Sequence, residues 1–401
     1  MTDEDLIADV VKEDFPVFDE RPQLVYFDNA ATSHKPESVI ESIENFYTEN
    51  NSNIGRGLYD LASDSTKNYK QARRNIADFI NADSEEIIFV RNTTEAENLV
   101  ASSLDFEGDI VISKMAHHSE QLPWRRKASR ENKKITYLET ENGKISVESA
   151  KEEITEETGI VAISHISNVF GAENPVEEII DIAHQKNALV VLDVAQSIPH
   201  RSINVKQLEA DFVTFSGHKM LGPTGIGVLY GRKELLDDMN PYQLGGGMID
   251  SVTEKEVKYA DAPEKFEAGT PNIAGAVGLS KAVDYLEKLG MQNISEHTER
   301  IADKIRIGLE EIDGIEVISP EGANLVSFTC SYAHPHDIAE VLNQHGVAVR
   351  AGHHCAQPQM MDLDVNGATR ASPYLYNTEE DVEKFLDAVN DAVETFDVNV
   401  D

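Results

Sequence analysis

Two polar residues stand at the ends of apolar, strand-like segments. Lys219 closes the tetrapeptide Ser216-Gly-His-Lys and precedes the glycine-rich stretch 221–227. We expect water to be excluded there, and desolvation lowers the pKa of a lysine and makes its amine nucleophilic, as a Schiff base requires. The alternative is a solvated surface lysine. Asp193 ends the segment 188–193, where a carboxylate either caps a helix or pairs with a protonated ring nitrogen of a cofactor.

A threonine pair, Thr93 and Thr94, follows a strand-like segment and precedes a helical pattern. Threonines at such a position cap the helix. The N-terminus of a helix also binds phosphate through its free N–H groups and its dipole. Both interpretations use the same geometry, so both stay open.

Histidine pairs occur at His117-His118 and at His353-His354. Adjacent residues on an extended segment point to opposite sides, so the pairs do not favour a shared zinc ion, even with Cys355 nearby. We favour a single imidazole that stacks on a planar cofactor and moves protons.

The two cysteines have different surroundings. Cys330 ends an apolar strand and is predicted to be a buried, inert thiol. Cys355 lies in the polar loop 350–358 beside an arginine and two histidines, which favour the thiolate and predict a reactive residue. The planar fork of Arg370 suits a carboxylate ligand, with a surface salt bridge as the alternative.

Composition excludes several classes of partner. The chain of 401 residues has 72 Asp and Glu against 35 Lys and Arg, a formal charge of −37, so nucleic acid and anionic membranes are not expected partners. Two cysteines exclude a disulfide framework. The acidic N-terminus lacks the features of a secretory signal and no apolar run reaches about 18 residues, which predicts a cytoplasmic protein. The dispersed acid indicates a solvated surface; adaptation to high salt is a sharper hypothesis, which loss of activity in molar salt would contradict.

The elements that must position these residues alternate along the first two-thirds of the chain. Short apolar runs predict strands over 86–90, 109–113, 159–164, 189–193, 211–216 and 225–230, with helices between them, one over 63–82 behind a Ser-Asp cap. This alternation predicts a large, doubly wound α/β domain over 16–272. Helices over 273–289 and up to Gly314, short strands near 315–318, 325–328 and 347–349, and a helix from Thr378 predict a smaller α+β domain over 273–401. We expect the N-terminal helix, residues 1–15, to pack on the smaller domain.

Taken together, these segments resemble the class V, fold-type-I enzymes that depend on pyridoxal 5'-phosphate (PLP), and among them the group II, Suf-type cysteine desulfurases. The resemblance spans nearly the whole chain and is carried by motifs in a fixed order: Tyr26-Phe-Asp-Asn-Ala-Ala-Thr, Thr93-Thr-Glu-Ala-Glu-Asn-Leu-Val, Ile166-Ser-Asn-Val, Asp193-Val-Ala-Gln, Ser216-Gly-His-Lys, Phe266-Glu-Ala-Gly-Thr-Pro-Asn, residues 350–358 and Thr369-Arg-Ala-Ser-Pro. The Gly-His-His-Cys-Ala loop separates desulfurases from other class V enzymes.

The resemblance implies a role for each matching residue. Lys219 is expected to bind PLP covalently, and His117 to stack on its ring. Asp193 is expected to pair with the ring nitrogen, and Cys355 to be the nucleophile. Gln196 is expected to contact the ring hydroxyl, with Asn168 near it and near the substrate. The phosphate is expected to be bound by Thr94, Ser216 and His218, with Thr93 beside them, and by Thr270 from the other subunit of a homodimer. Arg370 is expected to hold the substrate carboxylate, with Arg350 close by.

The implied reaction converts L-cysteine to L-alanine and leaves a persulfide on Cys355. That sulfur is expected to pass to an acceptor protein of the Suf pathway for iron–sulfur cluster assembly, and His336 is a candidate contact to a zinc-bearing acceptor. Three alternatives stay open: a selenocysteine lyase, a class V epimerase or kynurenine-type hydrolase, and a binding subunit without turnover.

The chain departs from the family pattern in two segments. Similar enzymes often carry two histidines where this chain has Gly55-Arg-Gly-Leu-Tyr59, so expectations about substrate entry or partners do not carry over there. The segment Met115-Ala-His-His replaces the more usual Glu-His-His.

Overall fold

The computed structural model describes residues 6–397. Its largest feature is a seven-stranded sheet, and a four-stranded sheet lies in the C-terminal part. The strands are β1 (Val25–Tyr26), β2 (Ile87–Val90), β3 (Asp109–Ser113), β4 (Ile135–Leu138), β5 (Thr140–Glu141), β6 (Lys144–Ile145), β7 (Thr158–Ser164), β8 (Leu189–Asp193), β9 (Phe212–Ser216), β10 (Gly227–Gly231), β11 (Ile249–Val252), β12 (Val257–Tyr259), β13 (Ile315–Val317), β14 (Val326–Cys330), β15 (Val347–Ala348), β16 (Arg350–Gly352) and β17 (Ala368–Ala371).

Helices cover the strands and connect them. They are α1 (Leu6–Val11), α2 (Pro16–Glu20), α3 (Glu37–Asn45), α4 (Asp60–Phe79), α5 (Thr93–Ser103), α6 (His118–Glu131), α7 (Val147–Glu153), α8 (Val176–Gln185), α9 (Val205–Leu208), α10 (Lys233–Asp238), α11 (Ile273–Leu289), α12 (Met291–Glu310), α13 (Pro335–Gln344), α14 (Gln357–Asp362) and α15 (Glu379–Asp397). Within residues 6–397, none of these helices has the length and apolar character that crossing a lipid bilayer requires.

The large sheet has the strand order β2-β10-β9-β8-β7-β3-β4. β10 runs antiparallel to β2 and β9, and the pairings among β9, β8, β7, β3 and β4 are parallel. The parallel strands therefore bring their carboxyl ends to one edge, where open α/β sheets bind ligands. The register places Asp193 directly between Ser164 of β7 and Thr214 of β9.

Apolar side chains alternate between the two faces of this sheet, as the period of a strand requires. Val190 and Leu192 of β8 pack into the larger core cluster, beneath α4, α8 and α11, whereas Val191 packs into a second cluster, beneath α5 and α6. Both faces are covered, which explains why the strands read as continuous apolar runs in the sequence. The predicted doubly wound α/β arrangement is confirmed.

The four-stranded sheet has the order β13-β14-β17-β16 and packs with α12, α13 and α15 around a third cluster. β1 is paired in parallel with β15, so the N-terminal segment is tied to this part of the chain. Lys12 lies 3.2 Å from Asp381 of α15, and the hydroxyl of Tyr285 on α11 donates to Asp14 at 2.7 Å. The boundary between 272 and 273 stays a prediction, and residues 1–5 of the expected N-terminal helix lie outside the described range.

Two local expectations were wrong, and the sequence pattern missed an edge strand. The long helix expected over 63–82 begins at Asp60, so Ser63 lies inside it and does not cap it. Cys330 is half-buried at the end of β14 rather than fully enclosed. The edge strand β4 was not predicted, because its half-buried residues do not form a continuous apolar run.

Candidate active site

A cavity of about 570 Å³ opens at the carboxyl ends of the parallel strands. Its size is typical of a site for a small molecule or cofactor. It brings together the sequence-predicted residues Thr93, Thr94, His117, Asn168, Asp193, Gln196, Ser216, His218, Lys219, Arg350, Cys355 and Arg370. Thr270 is exposed and does not line the cavity of its own chain.

Lys219 lies in the short 3-10 turn Gly217–Lys219 that follows β9. The carbonyl oxygen of His218 accepts hydrogen bonds from the hydroxyl of Thr32 at 3.1 Å and the amine of Lys35 at 2.9 Å, which fix this turn. Burial lowers the pKa of the Lys219 amine to about 8, although the negative charges of Asp193 and Cys355 act to raise it. About a tenth of the amine is therefore unprotonated at pH 7, far more than for a free lysine, and this form is the nucleophile.

Asp193 ends β8 and lies 7% exposed at the floor of the cavity. One carboxylate oxygen accepts the backbone N–H of Ala195 at 2.8 Å. Burial raises the pKa of Asp193, while the Ala195 hydrogen bond and the charge of Lys219 lower it. The residue is a buried acid that gains from a cationic partner.

His117 is the N-cap residue of α6. Its Nδ1 accepts the backbone N–H of Ser119 at 3.1 Å and lies 2.6 Å from the Ser119 hydroxyl. Burial, followed by the charges of Lys219 and its neighbours, lowers the pKa of His117 to about 3, so the imidazole is neutral. Because Nδ1 accepts, we assign the ring proton to Nε2.

The N-terminus of α5 meets the end of β9 beside the cavity. The backbone N–H of Thr93 donates to the Ser216 hydroxyl at 2.9 Å, and the two side-chain hydroxyls are also 2.9 Å apart. The helix is capped by Asn92, whose side chain accepts from Glu95 N at 3.0 Å, so the threonines are not its cap. Hydroxyls gathered at a helix N-terminus suit a phosphate group.

Two arginines that line the cavity share one carboxylate. Arg350 makes a two-pronged ion pair with Asp28 at 3.0 and 2.8 Å, and Arg370 lies 3.7 Å from the same carboxylate. Arg370 also donates to the carbonyl oxygen of Asn168 at 2.7 Å, but its buried Nε has no hydrogen-bond partner within the described residues. Burial lowers the pKa of Arg370 to about 10. This side chain is therefore short of an anionic partner.

Cys355 lies in a strained, tightly held loop. His354 and Cys355 have φ angles of +49° and +55°, a left-handed conformation that costs free energy in residues with a Cβ and that is common at functional sites. Two hydrogen bonds hold the loop: His118 N donates to the Cys355 carbonyl at 2.7 Å, and Asn168 Nδ2 to the His354 carbonyl at 2.6 Å. Cys355 is exposed and faces the cavity that contains Lys219.

The sequence did not reveal the role of Asp28, nor the contacts that two predicted residues, Gln196 and Asn168, make within the chain. Asp28 lies in the motif that begins at Tyr26. It pairs with Arg350, which is 322 positions away, so the sequence around Asp28 does not indicate this contact. The side chain of Gln196 donates to the Ala30 carbonyl at 2.9 Å. The side-chain amide of Asn168 donates to the His354 carbonyl in the Cys355 loop. Among residues 6–397, no three His, Cys, Asp or Glu side chains are arranged to hold a metal ion.

Comparison with known proteins identifies the family. The model of the family described as aminotransferase class-V matches residues 25–385. The chain belongs to this family. A probable cysteine desulfurase of Halalkalibacterium halodurans is 48% identical to it over 97% of this chain and 98% of the relative. A cysteine desulfurase of Haloferax volcanii is 42% identical, over 97% of each chain.

Solved structures agree with this placement. The apo structure of a cysteine desulfurase from Thermococcus onnurineus superposes with a TM-score of 0.93 at 40% identity, covering 97% of this chain and 98% of that one. The Escherichia coli cysteine desulfurase CsdA, solved in an S-sulfonic acid form, superposes with a TM-score of 0.91 at 35% identity over 97% and 99% of the two chains. The predicted fold-type-I architecture and membership among the cysteine desulfurases are confirmed.

Proposed function

We propose that this protein is a PLP-dependent cysteine desulfurase that converts L-cysteine to L-alanine and takes the sulfur onto Cys355 as a persulfide. The observation that carries the proposal is the meeting of Lys219, Asp193 and Cys355 in one cavity. The relatives named as cysteine desulfurases, at 42–48% identity over nearly the full chain, support the same reaction.

The residues of the cavity fit PLP. Lys219 offers an amine to the cofactor aldehyde, Asp193 a carboxylate to the ring nitrogen, and His117 a neutral ring to stack on the pyridine. Thr93, Thr94, Ser216 and His218 would hold the phosphate at the N-terminus of α5. When bound, PLP supplies an electron sink for the electron pair left when the substrate Cα loses its proton.

Arg370 would bind the carboxylate of L-cysteine. Its unpartnered Nε and its position against Asn168 offer the directed donors that a carboxylate accepts in pairs. Arg350, held by Asp28, adds positive charge at the same wall without being free to turn away. Together these residues orient the substrate with its Cα toward Lys219.

Proton and sulfur transfer then fall to two side chains. Lys219, as a free amine, removes the α-proton. The thiolate of Cys355 attacks the substrate sulfur: the new S–S bond forms as the substrate Cβ–S bond breaks, and the bonding pair stays with carbon. Cβ takes up a proton released by the thiols, and Lys219 returns the α-proton to Cα. L-cysteine and one thiol thus become L-alanine and one persulfide, with atoms and electrons balanced.

We propose an acceptor protein for the persulfide, with iron–sulfur cluster assembly as the pathway it serves. The exposed Cys355 loop gives such a protein access. His336 of α13 is also exposed. Its Nε2 packs against Gly352 at the start of that loop, where a Cβ added to the glycine would lie 3.6 Å from the ring nitrogen. The helix is capped by the side chain of His334, so the side chain of His336 has no capping role and is a candidate contact to a zinc-bearing acceptor.

The acceptor contact has a direct test. His336→Ala should reduce stimulation of turnover by a zinc-bearing acceptor while basal turnover stays unchanged. His345→Ala, at the other end of the same helix, is the matched control. Undiminished stimulation in His336→Ala would rule this contact out.

We further propose a homodimer in which Thr270 of the partner subunit completes the phosphate site. Thr270 is exposed and does not line the cavity of its own chain, so it is accessible to a second subunit. Thr270→Ala should weaken PLP binding without changing the oligomeric state, measured by equilibrium dialysis and light scattering. A monomer at working concentration would refute this arrangement.

The experiment that tests the activity adds L-cysteine to the holoprotein and assays alanine and sulfide together. Cys355→Ser should keep the absorbance of bound PLP but lose both products, whereas Cys330→Ser should behave as wild type. Competition with selenocysteine separates the lyase alternative, and activity retained in Cys355→Ser would favour a class V enzyme that needs no thiol.

A further inference from the structure

Two glutamates lie fully buried on the helices that carry the cavity wall. Glu97 belongs to α5, the helix whose N-terminus holds Thr93, and Glu120 belongs to α6, which His117 caps. Both have 0% exposure. Neither lines the cavity, so neither has a part in the proposed reaction.

Both carboxyl groups are bound by hydroxyls of the central sheet. The Thr214 hydroxyl donates to Glu97 Oε1 at 3.0 Å, and the Ser164 hydroxyl donates to Glu120 Oε2 at 2.7 Å. The indole N–H of Trp124 on α6 donates to Glu97 Oε2 at 3.1 Å, which joins the two helices. Glu120 Oε1 has no hydrogen-bond partner within the described residues.

These hydroxyls stand on either side of Asp193. In the strand register Asp193 pairs with Ser164 of β7 and with Thr214 of β9, so the three residues point to the same face of the sheet. Each glutamate therefore connects a cavity-forming helix to a neighbour of the carboxylate that would face the ring nitrogen.

The charge balance of this cluster allows few ionised groups. The charged groups that face Glu97 are Glu120 of α6 and Asp193 of β8, and Lys219 acts on Asp193 from the cavity side. Lys127 of α6 is directed elsewhere, to the Leu104 carbonyl and to Glu131, each at 2.8 Å. Burial, then the charge of Asp193, raises the pKa of Glu97 to about 8.

We propose that Glu97 and Glu120 are positioning residues for the cofactor site: in their protonated form they join α5 and α6 to the hydroxyls beside Asp193 and leave Asp193 as the single charge of the cluster. This inference rests on the proposed pairing of Asp193 with PLP. Ionisation of Glu97 in mildly alkaline solution would place a second negative charge behind Asp193.

Trp124 is the only tryptophan of the chain and touches Glu97, so it reports the ionisation directly. The test is a pH titration of tryptophan fluorescence in the apoprotein, which requires neither cofactor nor turnover. Wild type should show a transition with a midpoint near pH 8 that Glu97→Gln abolishes. Lys219→Ala, the control for the other group that titrates in this range, should keep it. A flat wild-type curve, or an unchanged transition in Glu97→Gln, would overturn the inference.

Positioning is tested separately by PLP binding to the apoprotein. Glu97→Ala leaves the Trp124 N–H and the Thr214 hydroxyl without their partner and should weaken PLP affinity about tenfold, with Glu97→Gln restoring it to within about threefold of wild type. If Glu97→Ala does not fold, Glu120→Gln should lower the intensity of the protonated-carboxyl infrared absorption at neutral pH, with the Glu97 contribution remaining; an unchanged intensity contradicts the proposal. Normal titration in a protein that binds no PLP would instead refute the proposed function.

Discussion

A buried ion pair fixes the segment that carries Thr270, and breaking it gives the clearest stability prediction. Arg73 of α4 meets Glu267 through two hydrogen bonds of 2.8 and 2.7 Å, and both side chains are less than one-tenth exposed, at 9% and 8%. Glu267 also accepts from the Tyr69 hydroxyl at 2.9 Å and from Phe89 N at 2.8 Å. The pair thus ties α4 and β2 to the turn that precedes Thr270.

Arg73→Met keeps the volume of the side chain but leaves the Glu267 carboxylate buried without its cation. Removing one partner of a buried pair costs about 3–5 kcal/mol, because the remaining charge is uncompensated. The expected loss is a large share of the roughly 5–15 kcal/mol that stabilises a typical domain. Neutralising the partner as well, in Arg73→Met with Glu267→Gln, should recover part of it.

The assay is equilibrium unfolding in urea, followed by circular dichroism and by the fluorescence of Trp124. Lys67→Met is the matched control on the same helix, since Lys67 pairs with Asp64 at 3.3 Å with both side chains more than half exposed, at 74% and 51%. Such pairs contribute about 0–0.5 kcal/mol. A loss below about 1 kcal/mol in Arg73→Met would refute the reasoning from burial.

Three further predictions concern two residues of the cavity and the buried Glu97 outside it. Arg370→Lys should raise KM for L-cysteine about tenfold or more with a smaller change in kcat, because an ammonium cannot reproduce the fork; equal KM values in steady-state assays would contradict this. Covalent attachment of PLP to the apoprotein should accelerate with pH to a midpoint near 8, where the Lys219 amine loses its proton, and a midpoint close to that of a free lysine would contradict the burial of Lys219. Glu97 has a folded pKa of about 8 against an ordinary value of 4.5, so the folded state binds the extra proton and its stability should fall between these pH values, by about 1.4 kcal/mol per unit. Glu97→Gln should lack that part of the decline in urea unfolding, and an identical slope would contradict the assignment.

Much of the fold was predictable because the sheet is covered on both faces. The strands at Asp109–Ser113 and Leu189–Asp193 and the helix Ile273–Leu289 have the predicted bounds, since apolar runs and a terminal glycine mark them locally. Edge strand β4 escaped because its side chains are only half-buried and the sequence pattern is mixed. The start of α4 was misplaced by three residues because Tyr59 precedes it without a side-chain cap.

The candidate site was predictable where chemistry follows strand ends. Lys219 and Asp193 stand at carboxyl ends of neighbouring strands, so topology brings them together once the parallel sheet is recognised. Contacts between distant segments left no such signal. The sharing of Asp28 by two arginines, the left-handed backbone at Cys355 and the burial of Glu97 all depend on tertiary packing.

The most direct measurement is a single turnover of the holoprotein with L-cysteine, without acceptor or reductant, followed by alkylation and peptide mass spectrometry. The predicted result is one additional sulfur atom on the peptide that contains Cys355 for each alanine formed, and none on the peptide that contains Cys330. Alanine released with no sulfur on Cys355, or with the sulfur on Cys330, would contradict the account.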